Sequence, residues 1–463
     1  NGFKVEYYLI SENSFKQTTK QYTELETEVE KALDVATDKM KKREKEKAKK
    51  MEEMGDVEEM VKSAPISKMV EIIIKHGVEM KASDIHIEPF MEQSRVRYRV
   101  DGVLKTSLLL PKAVHASLVS RVKVMANLKI DETRVPQDGR IRLEIGGQNV
   151  DFRISTLPLY ENEKVVMRIL DTSSGAISLD QLGFEGRNFE IMQNNIDKPH
   201  GMFLVTGPTG SGKSTTLYSV LNILNKEGVN IVTLEDPVEY YLKGINQSQV
   251  NPEVGLTFAA GLRSILRQDP DIVMVGEIRD NETAELAIHA ALTGHFVLST
   301  LHTNDAFGAL PRLLDMKVEP FLLTSTLNVV IAQRLVRKIC NECKEEYKIP
   351  EKMLDFAWEE FKNIPKENIV EELKHIKSKE DMKFYHGKGC TRCNSTGYSG
   401  RLAIAEVLDI TDELKEVIAS GKSLEEVRQK IVGEKMITLQ QDGIMKSLKG
   451  QTTLEEVMRA TKE

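Results

Sequence analysis

The strongest constraint on this chain is the run Gly207-Pro208-Thr209-Gly210-Ser211-Gly212-Lys213-Ser214, with an apolar strand-like stretch, Met202 to Thr206, before it and a helix-like stretch from Thr215 to Leu224 after it. A GxxxxGK[ST] loop in a strand-loop-helix context is a phosphate-binding device. Its glycines let backbone amides close on a polyphosphate, Lys213 reaches the β- and γ-phosphates, the Ser214 hydroxyl is placed for Mg²⁺, and the helix points its positive end at the anion. A nucleotide site follows.

Around that loop the chain alternates short apolar runs, Phe203 to Thr206, Ile231 to Leu234, Ile272 to Val275 and Phe296 to Thr300, with helical patterns. Such alternation predicts a mostly parallel sheet covered by helices on both faces, with ligands at the carboxyl ends of the strands. The residues at those ends carry the chemistry. Glu277 closes the run Asp271 to Glu277 and is the candidate catalytic carboxylate, although Gly276 stands where such a strand usually ends in Asp. Glu235 and Glu239 follow another strand and can position water or Mg²⁺, and His302 can bond a γ-phosphate. Arg263, Arg267 and Arg279 are candidate cations for the charge that develops in phosphoryl transfer.

All four cysteines fall in two CxxC pairs, Cys340/Cys343 and Cys390/Cys393. Two tight turns with two thiolates each complete a closed tetrahedral site, so structural Zn²⁺ is expected there, with the pairs clamping the base of a helical excursion. Upstream, Ile66, Met69, Val70, Ile73 and Ile74 form one apolar helical face that opens at Pro65 and closes at Gly77. Alternation at Ser83 to Glu88, Arg95 to Val100 and Arg140 to Ile145 predicts half-exposed strands, with a helical stretch from Leu108 to Leu128. Residues 19–60 are rich in Glu and Lys and read as a solvated linker helix, in which Glu44 and Glu46 dilute any basic patch. The first 18 residues fit one strand or an ordered tail.

The length suggests about three domains. A net charge of -7 disfavours bulk electrostatic binding of nucleic acid. No apolar run approaches the ~20 residues of a spanning helix and no leader pattern is visible, so a cytoplasmic location is expected. The chain opens on Asn1, as a piece of a longer protein would. An Asn-Lys-x-Asp guanine signature does not occur. A ring translocase on nucleic acid and a non-catalytic nucleotide-sensing scaffold are the competing readings.

The ordered motifs resemble bacterial type II secretion and type IV pilus assembly ATPases over about residues 65–461. The segments carrying the resemblance are Gly207 to Thr215, Leu234 to Glu239, Arg267 to Asp271 with Gly276 to Asp280, and Thr293-Gly294-His295 with Leu301 to Asn304. Ala82 to Pro89, Tyr98 to Gly102 and Pro136 to Arg140 match as well, and the two CxxC pairs place the likeness with assembly motors over retraction motors. The resemblance implies an α/β fold: an incomplete N-terminal segment and charged linker helix over 1–62, and a PAS-like α+β domain over 63–171. A linker over 172–180, a RecA-like P-loop ATPase core over 181–335, a tetracysteine zinc-binding module over 336–402 and a helical C-terminal region over 403–463 follow. It further implies a homo-hexamer that binds ATP and Mg²⁺ at residues 207–215, with Glu277 catalytic in the family's Gly-Glu form. Arg153 and Arg168 match the family's nucleotide-reaching arginines. Such motors turn an inner-membrane platform protein, peripheral to the inner membrane and beside a membrane-anchored component, and no nucleic acid is expected as a partner.

Overall fold

The structure, a computed structural model, describes residues 64–170, 177–393, 395–419, 428 and 436–462. The expected N-terminal segment, its charged helix and the centre of the second linker lie outside these residues. The chain divides into two compact units, Asn1–Ser173 and Ser174–Glu463.

In the first unit six strands, β1 (Asp84–Pro89), β2 (Gln93–Val100), β3 (Val103–Pro111), β4 (Gln137–Ile145), β5 (Gln148–Pro158) and β6 (Glu163–Leu170), form one antiparallel sheet in the order β3-β2-β1-β6-β5-β4. Helices Ala64–Glu79 and Lys112–Met125 supply Met69, Ile73, Leu118 and Val122 to the same core as Ile85, Ile87, Tyr98, Phe152 and Met167. Two expectations need correction. The first helix runs through Gly77 to Glu79, because that glycine is a packing point: a Cβ there would meet the Ile85 side chain at 2.6 Å and the Tyr98 ring at 3.1 Å. The stretch from Leu108 begins as strand, with Leu108 and Leu110 buried and Leu109 55% exposed, and becomes helical only at Lys112. Period two wins over four residues that also suit a helix.

On β1 the odd positions face that core, while Asp84, His86 and Glu88 line the other face. There Glu88 pairs with Arg95, Arg97 and Lys164, and Asp84 with Arg99 and Arg168. Arg153 lies opposite Arg168 in the β5–β6 register.

The second unit is built on a seven-stranded sheet of β7 (Gly201–Thr206), β8 (Ile231–Glu235), β9 (Asn246–Gln249), β10 (Ile272–Val275), β11 (Phe296–Leu301), β12 (Leu327–Ile339) and β15 (Tyr398–Asp409). Its order is β15-β12-β7-β11-β10-β8-β9, parallel throughout except for the antiparallel β12–β15 pair. Side chains alternate between two cores: Met202, Leu204, Val273, Val275 and Val330 point one way, and Phe203, Val205, Met274, Leu298 and Ile331 the other. Both faces are covered, which is why each strand is an unbroken apolar run.

Apart from the cysteine module, the sequence after about residue 305 reads as helical, and that reading is wrong at two places, since β12 and β15 are the long strands of this sheet. Val329 to Ala332 and Leu402 to Ala405 are wholly buried, and a short continuous apolar run has no period to distinguish strand from helix. The excursion between the cysteine pairs is also mixed. It carries helix Glu351–Lys362 and a two-stranded sheet of β13 (Lys344–Tyr347) with β14 (Phe384–Gly387). Its core residues Phe361, Leu373 and Phe384 pack with Ile444, Met445 and Leu454 of helices Leu439–Leu448 and Leu454–Thr461.

Candidate nucleotide and metal sites

The phosphate loop joins β7 to helix Lys213–Leu224, and its glycines hold backbone conformations that a side chain would oppose. Gly207 has φ 144°, Gly210 81° and Gly212 91°, and a Cβ on Gly207 would sit 2.6 Å from Ser211 Oγ and 2.7 Å from the Gln333 carbonyl. The Lys213 ammonium donates to the loop's own carbonyls, Gly207 O at 2.8 Å and Pro208 O at 3.2 Å. Burial lowers its pKa, and the nearby Glu277 charge opposes that fall. Ser211 Oγ is buried with no hydrogen-bond partner among the described residues. A cradle with cationic, glycine-shaped walls and an unanswered hydroxyl fits a polyphosphate.

β10 delivers Glu277 to the same edge of the sheet. Its buried carboxylate meets His302 Nε2 at 3.1 Å and Arg279 at 2.6 Å, so three of the expected residues converge. Glu235 goes elsewhere. It is 4% exposed and accepts hydrogen bonds from Tyr218, Thr233 at 2.5 Å and Gln247 at 3.1 Å, and burial raises its pKa. Tyr218 stands on the phosphate-loop helix and also accepts the Glu239 amide at 3.2 Å, so this acid ties that helix to β8. Arg263 pairs with Glu282, and Arg267 caps the Arg263 carbonyl at 2.8 Å. His295 lies at the far end of β11 from His302 and bonds the Ala290 carbonyl at 2.9 Å.

Two residues that sequence reasoning missed brace the segments around the site, and the first of them locks the phosphate loop in place. Gln333, 1% exposed, donates to the Ser211 carbonyl at 2.7 Å and accepts from Thr216 Oγ1 at 2.8 Å. Arg334 donates to the Asn304 carbonyl at 2.9 Å. The signal was present: Gln333-Arg334 breaks an otherwise apolar run from Val329 to Val336. Thr206 completes the frame, its hydroxyl 2.7 Å from that of Thr303 and accepting the Thr303 amide at 2.8 Å. Beside the loop lies a cavity of about 830 Å³ lined by Pro208 to Ser211, Arg334, Glu406 and the end of helix Leu454–Thr461.

Cys340, Cys343, Cys390 and Cys393 converge in the second unit, with ligand atoms all within 4.8 Å of one another. The sulfurs of Cys340 and Cys390 are 3.8 Å apart, as are those of Cys343 and Cys393, and Cys390 and Cys393 are separated by 3.7 Å. Those gaps are too long for disulfides, and the cysteines are free. They equal the edges of a tetrahedron around a metal at about 2.3 Å, the Zn–S distance. The Cys390 and Gly397 amides donate to Cys393 Sγ at 3.2 and 3.3 Å, which favours thiolate. The donor set therefore fits Zn²⁺.

With this geometry in place, comparison with known proteins is decisive. The profile of the type II/IV secretion system protein family matches residues 59–459. The chain belongs to that family. It is 48% identical over 415 residues to the type II secretion system ATPase E of Vibrio cholerae, covering 89% of this chain and 79% of the relative. It is 47% identical over 415 residues to the type IV pilus assembly ATPase PilB of Myxococcus xanthus, covering 89% and 71%. Among solved structures, the pilus retraction motor PilT with bound ADP superposes with a TM-score of 0.57 at 26% identity, over 85% of this chain and 97% of that one. This member of the secretion ATPase family has, among its described residues, no helix long and apolar enough to cross a membrane.

Proposed function

We propose that the chain hydrolyses ATP at the 207–215 loop and uses the energy to assemble type IV pili or the pseudopili of type II secretion. One observation carries the reading: the buried Glu277 carboxylate, held by His302 and Arg279, stands at the sheet edge where the phosphate loop opens. Lys213 leaves its carbonyl partners for the β- and γ-phosphates, and the loop amides take their oxygens. Glu277 accepts a proton from the attacking water, and His302 senses the γ-phosphate through it. Ser214 would hold Mg²⁺, which neutralises phosphate charge when bound. Arg279 is the cation that meets the transferring phosphoryl group; Arg153 and Arg168 stand in register on β5 and β6, Arg168 paired with Asp84, and the nucleotide-reaching role given to them comes from the family resemblance. Glu235 and Glu239 brace β8 against the phosphate-loop helix through Tyr218 and so hold the site's acidic edge. Zn²⁺ on the four cysteines fixes the base of the excursion and does no chemistry, because four protein thiolates leave no open position.

The working unit in this proposal is a homo-hexamer in the cytoplasm, peripheral to the inner membrane. Hydrolysis rotates its domains against an inner-membrane platform protein, near a membrane-anchored component of the same machine. ADP in PilT, the secretion system named for the Vibrio relative and the pilus assembly named for the Myxococcus relative support the choice of nucleotide and task. The test is steady-state ATP hydrolysis by the chain and by Glu277→Gln, with particle size measured in the same samples. Turnover should fall about 10²- to 10⁴-fold in the variant. It should rise with the platform protein's cytoplasmic domain and ignore single-stranded DNA. Unchanged variant turnover would remove Glu277 from the mechanism, and stimulation by DNA alone would favour a translocase.

A further inference from the structure

Glu406 lies in the C-terminal third of β15, 5% exposed, in the cavity wall beside the phosphate loop. No Lys or Arg among the described residues forms a salt bridge with it. It makes two hydrogen bonds instead: Oε1 accepts the Ala306 amide at 2.7 Å, and Oε2 accepts the Leu439 amide at 3.2 Å. A buried carboxylate satisfied only by backbone donors is an expensive way to fasten a loop, since an apolar contact would do it without desolvating a charge. Its position explains what is fastened.

The in-register row Leu301, Thr206, Ala332, Glu406 crosses β11, β7, β12 and β15 at the level where the phosphate loop starts. Above that row the segment His302 to Gly308 runs from the hydrolytic end to Glu406. Residues 302–306 and 308 of it are each tied down. His302 meets Glu277, Thr303 bonds Thr206, Asn304 accepts from Arg334, Asp305 meets Arg428 at 3.3 Å and the Gly308 amide at 2.5 Å, and Ala306 ends on Glu406. The second oxygen of the same carboxylate takes the first free amide of helix Leu439–Leu448.

We propose that Glu406 is a positioning residue for the hydrolytic centre: by gripping the Ala306 and Leu439 amides together, it sets His302 and Thr303 against Glu277 and the phosphate loop, and makes turnover depend on the seating of helix Leu439–Leu448. This rests on the ATPase reading above. Any partner or strain that shifts that helix by a fraction of a hydrogen-bond length slackens the strap, with no contact to nucleotide needed. The groups facing Glu406 agree with a tuned, not inert, acid. Burial and the Asp305 charge push its pKa up to about 7, while the Ala306 and Leu439 amides and Arg428 oppose that rise. Arg334 on β12 feels it as well, and Asp442 and Lys446 of the packed helix pair with each other at 2.6 Å.

The experiment compares the full chain with Glu406→Gln, which keeps the volume but offers one acceptor where two amides need one each. The kcat should fall tenfold or more while the KM for ATP changes less than threefold and the melting temperature stays near that of the parent chain. Amide exchange over residues 303–307 should quicken at least tenfold, with β11 unchanged. The parent chain's kcat should decline as pH falls through about 7, where the carboxyl gains its proton and loses one acceptor role, and the variant should lack that limb. Equal kcat, or equal exchange over 303–307, would overturn the proposal. If the variant fails to fold, the parent chain decides: exchange at Ala306 that does not quicken relative to β11 below pH 7 overturns it too. A parent chain without turnover would sink the ATPase reading, and the exchange data would still judge the clamp.

Discussion

Replacing Cys390 with serine should release the metal from the cysteine site and loosen one region of the second unit without unfolding it. Three of the sulfur separations, at 3.7 and 3.8 Å, match metal–sulfur bonds of about 2.3 Å, and all four sulfurs lie within 4.8 Å of one another. A site of that quality contributes about 10–16 kcal/mol of binding free energy, so losing one thiolate of four should cost roughly 3–4 kcal/mol, or some 10²- to 10³-fold in zinc affinity. The turns themselves depend on the site, because the Cys340 amide bonds Gly397 O at 3.0 Å and the Lys388 amide bonds Cys343 O at 3.1 Å. The excursion's apolar core is shared with Ile444, Met445 and Leu454, which limits the damage. Elemental analysis should find one zinc per parent chain and far less in Cys390→Ser, with faster amide exchange in residues 340–347 and 384–398 and unchanged exchange in β7, β10 and β11. Substoichiometric zinc in the parent chain, or identical exchange in a metal-free variant, would refute the reasoning.

Three further outcomes follow from the same geometry. Lys213→Ala removes a cation worth about 1.5–3 kcal/mol to bound phosphate, so ATP affinity by fluorescence titration should drop roughly 10- to 150-fold; an unchanged Kd would mean that the lysine never leaves its carbonyl partners. Gln333→Ala leaves Thr216 and the Ser211 carbonyl unanswered in a buried place, so nucleotide should bind about tenfold more weakly and the melting temperature should fall by a few degrees. Burial would raise the pKa of Glu456, but Arg459 and Arg337 outweigh it and hold it at about 2. A depressed carboxylate stabilises the fold above its ordinary value of 4.5 and loses that contribution as pH falls towards 2, here roughly 1–3 kcal/mol after solvent screening. Thermal melts of Glu456→Gln should therefore lie below the parent chain at pH 7 and approach it as pH falls through about 2, and parallel curves would sink the assignment.

What could be read from the sequence was whatever chemistry concentrates in a short span. The phosphate loop announces itself because Gly207, Gly210 and Gly212 must hold conformations that other residues resist, and Lys213 and Ser214 follow at fixed offsets. The cysteine cluster is equally local, two turns of two thiolates each. The parallel strands β7, β8, β10 and β11 were visible because turns bound each apolar run. Their flanking partners β12 and β15 were not, since buried strands covered on both faces lose the alternation that marks a strand. Gly77 looked like a helix stop, because only the fold shows Ile85 and Tyr98 pressing on it.

The residues that escaped are those whose meaning lies in a neighbour far along the chain. Gln333 matters through Ser211, Tyr218 through Glu235, and Glu406 through Ala306 and Leu439, separations of 122, 17, 100 and 33 residues. A motif describes the groups that touch the nucleotide. The frame that sets their spacing is assembled from β12, β15 and the C-terminal helices, so substitutions at those remote positions should retune turnover while the nucleotide loop stays unchanged. On that view, substitutions on the buried face of helix Leu439–Leu448 should alter kcat more than nucleotide affinity, whereas substitutions within residues 207–215 should do the reverse or abolish both. Swapping Leu439 for Met, which preserves volume, offers the mildest test: a kcat change with constant Kd supports a frame-set catalytic distance, and a matched loss of both would place helix and loop in a single binding element.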